Sequence, residues 1–204
     1  VLLCDETGTL IDGDDIMAIA ALEMLAEGSL ADNTLVTTVM SNAGLDAAIE
    51  SAGGRTIRTP VGDKHVIDAM LQHGYNFGGE QSGHLIFGDH ASTGDGLVAA
   101  LQILRIMAAK QQPLSKLAQC WTRFPQKLTN LRVTEKKPIE ELEDVPALVA
   151  EAESALQAEG GRVLLRYSGT EPKIRLLLEG KDAAALDVWS EKIISAIQVQ
   201  IGAA

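Results

Sequence analysis

"TLVTTVMSNAGLDAAIESAGGRTIRTP", residues 34–60, decides the fold. It opens on Thr34–Met40, a run rich in β-branched residues that suits a strand. Ser41 or Asn42 can then cap a helix running to Ser51, because a short polar side chain accepts a hydrogen bond from the first helical turn. Gly53-Gly54 ends that helix, since glycine takes up the left-handed backbone of a helix terminus at little cost. Arg55–Thr59 is the next strand and stops at Pro60, which has no N–H to give a ladder. Strand, helix and strand in this order predict a layered α/β domain with a mostly parallel sheet.

The same alternation continues on both sides. Upstream, Val1–Cys4 is predicted as a strand and Asp5–Gly8 as a turn. Asp12 or Asp14 caps a helix to about Ala26 that is apolar on most faces and is therefore expected to be buried. Downstream, Gly62-Asp63 starts a helix to about Gln72. A glycine-rich stretch, "GYNFGGEQSGHLIFGD" (74–89), follows, with one predicted strand at Leu85–Phe87. Thr93 and Asp95 cap a long helix over Gly96–Ala109. The pattern changes after residue 111, where Gln-Gln-Pro, a short helical turn at Ser115–Gln119 and Phe124-Pro125 interrupt it. The expected domains are 1–119 and 120–204. The second is predicted as a small α+β domain of about 80 residues, a viable size for independent folding. Its elements are strands at Lys127–Val133, Val163–Arg166 and Ile174–Glu179 and helices at Val145–Ala158 and Ala183–Ile201.

Composition limits the partners. Hydrophobic residues make up 46% of the 204, but aromatics only 3%, so aliphatic side chains must build the cores. A net charge of −11 argues against nucleic acid. No apolar run has the length of a membrane span, so no membrane partner is expected. Cys4 and Cys120 lie far apart without metal-ligand spacing, which suits reduced thiols in a cytoplasmic protein. The chain opens inside a predicted strand with no Met, so further residues are expected to precede Val1.

Charge is uneven: residues 1–119 carry 6 Lys+Arg against 15 Asp+Glu, residues 120–204 carry 11 against 13. The relative basicity centres on "RYSGTEPKIR" (166–175). Ser168 and Thr170 offer hydroxyls there, Gly169 lets its amide approach an anion closely, and successive amides in a turn form a nest. Arg166 and Arg175, on neighbouring strands, can converge on one oxyanion. A plain hairpin turn with solvated strand ends fits the same residue types. In "GGEQSGH" (78–84), Glu80, Ser82 and His84 alternate along what is predicted as an extended loop, so they share one side and can hold vicinal sugar hydroxyls. A metal site of Glu80, His84, Asp89 and His90 matches no standard zinc spacing, and a polar glycine turn facing water is the other alternative. Asp63 and Lys64 open a helix and are either a solvated cap or a contact to a hydroxyl or phosphate. "LIDGDDIM" (10–17) imitates a metal loop, but it lacks the spaced ligand series ending in Glu. A helix N-terminus explains its acids better, because the macrodipole favours them there.

"GGEQSGH" followed by "STGDG" and then "RYSGTEP", in that order and separation, resembles the α-D-phosphohexomutase superfamily. Within it, the sugar loop, "TVMSNAGL" and "VGDKHV" are most similar to the phosphoglucosamine mutase subgroup. The resemblance covers essentially the whole chain and implies the third and fourth of four domains. It implies interconversion of glucosamine 6-phosphate and glucosamine 1-phosphate through a bisphosphorylated intermediate. Arg166, Ser168, Gly169, Thr170 and Arg175 would hold the phosphate that is not reacting. Glu80 and Ser82 would hold sugar hydroxyls, His84 would act as general acid/base, and Lys64, Asp63, Ser41 and Asn42 would line the site. Where phosphomannomutase relatives place a substrate-contacting lysine, this chain has Met40. The family's phosphoserine loop has no match here, and its Mg2+ loop is expected upstream of Val1, so no catalytic serine and no metal ligand is assigned in this chain. A homodimer is compatible with the full-length protein. Two other functions fit the same motifs: a phosphomannomutase/phosphoglucomutase, or a non-catalytic phosphosugar-binding module.

Overall fold

Side-chain alternation along strand β3 (Thr34–Thr38) sets the layers of the first unit. In the computed structural model, which describes residues 1–202, Leu35 enters one core and its neighbour Val36 the core on the opposite face. β3 is parallel to β4 (Arg55–Thr59) on one side and to β5 (Phe77–Gly79) on the other. β6 (Leu85–Phe87) closes that edge antiparallel to β5, giving the order β4-β3-β5-β6. On the Leu35 face lie α1 (Gly13–Glu27), α2 (Ala43–Ser51) and α4 (Gly96–Lys110), which contribute Met17, Leu45, Ile49, Ile103 and Ile106 to the core. On the Val36 face, α3 (Asp63–His73) contributes Val66 and Met70. The sheet thus has two parallel pairings and one antiparallel one, between two helical layers. α1 is buried on nearly every side, as its apolar composition predicts.

Two strands differ from expectation. Leu3–Cys4 (β1) does not join the main sheet but pairs antiparallel with Leu10–Ile11 (β2). The Asp5 carboxylate folds the chain back locally by accepting the Thr7 and Thr9 N–H groups at 2.8 and 2.9 Å. β5 was hidden because two of its three residues are glycine, which has little strand preference. Glycine is required at 78 all the same: a Cβ there would stand 2.8 Å from the Val36 carbonyl and 2.9 Å from Val66 Cγ1.

The first unit ends at Arg123, four residues beyond the expected boundary at 119/120. The reason is polar. Past the short α5 (Leu114–Leu117), Trp121 Nε1 donates to Asp15 at 3.0 Å, and the Arg123 guanidinium meets Asp12 at 2.8 Å and Asp15 at 3.4 Å. These bonds tie residues 121–123 to the start of α1.

The second unit begins at Phe124. Its antiparallel sheet has the order β7-β9-β8, with β7 at Gln126–Arg132, β8 at Arg162–Tyr167 and β9 at Lys173–Glu179. Ile174, Leu176 and Leu178 of β9 project to one face, which α6 (Val145–Gln157) and α7 (Ala183–Ile201) cover. Leu186, Ile193, Ile197 and Ile201 of α7 form an apolar stripe against it; Trp189 is only partly buried beside them. No helix among the described residues is long and apolar enough to cross a membrane.

Candidate functional site

The carboxyl ends of parallel strands are where loops diverge and leave room for a ligand. In the first unit these ends are Thr38 of β3, Thr59 of β4 and Gly79 of β5. A cleft of about 380 Å³ opens there, bounded by Asp12, Thr38, Met40, Glu80 and Ser82.

Glu80, Ser82 and His84 do come together, though not along an extended loop. Gly79 pairs with Leu85, so the five residues between them make a tight hairpin turn. Glu80 N–H donates to the His84 carbonyl and Gly83 N–H to the Glu80 carbonyl, each at 2.9 Å. Gly83 sits at φ +92°, a backbone that side chains resist. The turn brings Ser82 Oγ to 3.2 Å from His84 Nδ1, with Glu80 Oε2 at 3.8 Å from the same nitrogen. His84 is exposed, whereas Glu80 is nearly buried.

Glu80 Oε1 accepts the Gly62 N–H at 2.9 Å, which fastens the "VGDKH" loop to the turn. Asp63 accepts the N–H of Lys64 at 2.8 Å. Lys64 is exposed and has no ion pair among the described residues. Behind the turn stands Gly13, whose N–H donates to the Gln81 carbonyl at 3.0 Å. A Cβ on Gly13 would lie 2.1 Å from the Glu80 carbonyl oxygen, so the helix start and the turn can meet only through a glycine.

The acids of "LIDGDDIM" form a helix start. Asp12 accepts the N–H groups of Asp14 and Asp15, and Asp15 accepts that of Asp12. Asp14 is fully buried and accepts the Asn42 N–H at 2.9 Å. Burial pushes its carboxyl up to about 6, against the pull of the Asn42 N–H, the Ser41 side chain and the Arg123 charge. Ser41 and Asn42 are buried too, so they support the floor of the loop. Among the described residues, no group of three His, Cys, Asp or Glu is placed to hold a metal ion.

In the second unit the candidate phosphate turn joins β8 to β9. Arg166 and Arg175 are direct register partners, so their side chains leave the same face of the sheet. Ser168 closes the turn: its N–H donates to the Lys173 carbonyl at 2.8 Å, and its buried hydroxyl accepts the Glu171 N–H at 3.4 Å. Ser168 is therefore less presented than its residue type suggested, while Gly169 and Thr170 are exposed. The amides of Gly169 and Thr170 donate to nothing among the described residues. A Cβ on Gly169 would meet no atom within 4 Å and its φ is not positive, so nothing inside the chain requires a glycine there. Arg175 meets Glu171 at 3.3 Å, and its buried Nε has no partner. Lys173 also binds Glu171, at 2.7 Å. These two cations hold the Glu171 carboxyl below its usual range, Lys173 more strongly.

Sequence reasoning missed Gly13, Arg123 and Lys136, and read Gly62 only as a helix start. Lys136 donates to the Ser168 carbonyl at 2.6 Å. The available signal was a pair of lysines, Lys136-Lys137, in an otherwise acidic loop.

A three-layer α/β unit followed by a small antiparallel α+β unit is the architecture of the last two domains of a phosphohexomutase. Residues 12–124 match the phosphoglucomutase/phosphomannomutase α/β/α domain III, and residues 128–196 match the C-terminal domain of the same enzymes. The chain belongs to the phosphoglucomutase/phosphomannomutase family. It is 51% identical over 202 residues to the phosphoglucosamine mutase of Geobacter metallireducens and 50% identical to that of Anaeromyxobacter dehalogenans. These matches cover 99% of this chain but only 45% and 44% of those proteins, so the chain spans less than half the length of the curated relatives. Among solved structures, the N-acetylphosphoglucosamine mutase of Aspergillus fumigatus superposes with a TM-score of 0.77 at 22% identity, over 97% of this chain and 45% of that one. The same enzyme in complex with GlcNAc-6P and magnesium gives 0.76 at 21% identity, over 96% and 49%.

Proposed function

We propose that this chain supplies the sugar- and phosphate-recognising part of a phosphoglucosamine mutase, which interconverts glucosamine 6-phosphate and glucosamine 1-phosphate. The observation that carries the proposal is the pair of unengaged amides at Gly169 and Thr170, set on the turn between the paired strands of Arg166 and Arg175. A phosphate that is bound but not transferred needs directional donors and fixed positive charge, and this turn offers both. Its lack of any internal need for Gly169 supports close approach by a ligand. The half-identical relatives that carry the phosphoglucosamine mutase name support the amino sugar as substrate.

Each residue then has a definite task. Arg166, Arg175 and the amides of Gly169 and Thr170 hold the non-reacting phosphate; Ser168 shapes the turn. Glu80 and Ser82 receive sugar hydroxyls, with Asp63 and Lys64 beside them. His84 is the general acid/base: Ser82 and Glu80 both face its Nδ1, which leaves Nε2 to exchange a proton with the sugar. Phosphoryl transfer depends chiefly on positioning and charge compensation, and this chain contributes the positioning. The magnesium that the family implies finds no fitting ligand set among the described residues. On this reading its ligands and the phosphoserine lie in the part of the relatives' length that this chain does not span, and the chain alone is expected to bind without turnover.

Calorimetric titration of the chain with glucosamine 1-phosphate, glucose 1-phosphate and mannose 1-phosphate tests the proposal. Tighter binding of the amino sugar is expected. Preference for mannose or glucose would move the chain to the phosphomannomutase/phosphoglucomutase branch, and absence of binding by all three would refute the proposed role.

A further inference from the structure

The phosphate turn is clasped from outside by the loop that follows β7. Val133 N–H donates to the Pro172 carbonyl at 3.0 Å, Tyr167 Oη donates to the Lys137 carbonyl at 2.6 Å, and Lys136 Nζ donates to the Ser168 carbonyl at 2.6 Å. Two of these three bonds are neutral. The third brings a full positive charge against the peptide that joins Ser168 to Gly169, and Lys136 has no carboxylate partner among the described residues to cancel it.

That peptide is trans, so its C=O and N–H point in opposite directions. A cation on the Ser168 carbonyl therefore faces away from the Gly169 N–H, which is the exposed amide that donates to nothing. Hydrogen bonds in a chain polarise one another: a carbonyl that accepts from an ammonium leaves its own peptide N–H a stronger donor. We infer that Lys136 is a positioning residue for phosphate recognition, acting through the Ser168–Gly169 peptide to orient and strengthen the Gly169 amide as an anion donor. This rests on the proposed phosphate-binding role of the turn. It adds to that role a charge from a different loop that never touches the ligand.

The test is an NMR titration of the 204-residue chain with inorganic phosphate, following the amide resonances of Gly169 and Thr170. Lys136→Met keeps the length of the side chain and removes its charge. It should weaken phosphate binding by about tenfold, which corresponds to ~1.4 kcal/mol. It should also move the ligand-free Gly169 amide resonance upfield, while the resonances of Ile174 and Leu176 in the strand core stay in place. Lys136→Arg should restore most of the affinity. Tyr167→Phe removes a clasping bond but no charge, and should change the affinity by less than about threefold.

If Tyr167→Phe weakens binding as much as Lys136→Met, the loop is only a brace and the inference is overturned. It is also overturned if Lys136→Met binds like wild type with an unmoved Gly169 resonance. If the wild-type amides do not respond to phosphate at all, the binding role of the turn fails first and this inference fails with it.

Discussion

Arg166 of β8 and Arg175 of β9 stand directly opposite each other as antiparallel partners. Like charges in that relation destabilise a sheet by about 0.2–1 kcal/mol. Glu171 meets Arg175 at 3.3 Å, but Arg166 has no carboxylate partner among the described residues. A pair kept at that cost fits an anion site. Arg166→Ala should therefore separate stability from binding. The midpoint of thermal unfolding should stay level or rise, whereas calorimetric affinity for a hexose phosphate should fall tenfold or more, the loss of one charge-assisted bond of roughly 1.5–3 kcal/mol. A lower midpoint with unchanged affinity would make Arg166 a structural residue.

Gly13→Ala sets two effects against each other. Alanine in a helix gains about 1 kcal/mol over glycine. The added Cβ, however, would lie 2.1 Å from the Glu80 carbonyl and 2.7 Å from that of Gln81, both backbone atoms of the Glu80–His84 turn. Overpacking against atoms that cannot rotate away costs about 1–3 kcal/mol or more, so the clash wins. Urea unfolding should show a net loss of stability. Affinity for glucosamine 1-phosphate should drop as well, because the turn that carries Glu80 has to move.

Much of this was legible in the chain, and the failures have a common origin. The βαβ unit over residues 34–60 emerges as expected because its caps, glycines and β-branched run all agree. The last helix, Ala183–Ile201, has the predicted bounds. β5 was illegible because Gly78 is dictated by a neighbouring strand and by α3, which no local pattern records. The domain boundary was misplaced because Trp121 and Arg123 are held by acids more than a hundred residues earlier. At the candidate site, the residue types could be read from the sequence, but the Gly79–Leu85 pairing that turns Glu80–His84 and the long-range Lys136 clasp could not.

The buried acids give the first unit a pH dependence of definite sign. Asp14 has a folded pKa of about 6, above the ordinary 3.8, because burial disfavours its charged form. Asp15 is also raised by burial, from a less enclosed position. The native state therefore holds a proton that the unfolded chain releases near pH 4. The resulting stabilisation is fully present below that pH and is lost as pH rises through 6. For Asp14 it amounts to roughly 3 kcal/mol. Asp14→Asn should flatten this part of the profile, leaving the variant less disadvantaged than wild type above pH 6. Urea unfolding at pH 4.5 and 7.5, followed by Trp121 fluorescence in a Trp189→Phe background, measures it. An Asp14→Asn chain that loses as much stability as wild type across that range would exclude Asp14 as the source.

The two oxygens of Glu80 have separate neighbours. Oε1 accepts the Gly62 N–H, Oε2 faces His84, and the residue lines the cleft. Glu80→Ala removes both and leaves the Gly62 amide without its partner, which should cost about 1–3 kcal/mol in urea unfolding. Glu80→Gln keeps a carbonyl oxygen for Gly62 and should unfold close to wild type. It removes the charge that would strengthen bonds from sugar hydroxyls, so affinity for glucosamine 1-phosphate should fall by about tenfold, toward the value of a neutral hydrogen bond. Affinity for inorganic phosphate, which has no sugar, should not change. Equal losses for both ligands would mean that Glu80 does not address the sugar, and the division of recognition between the two turns would be wrong.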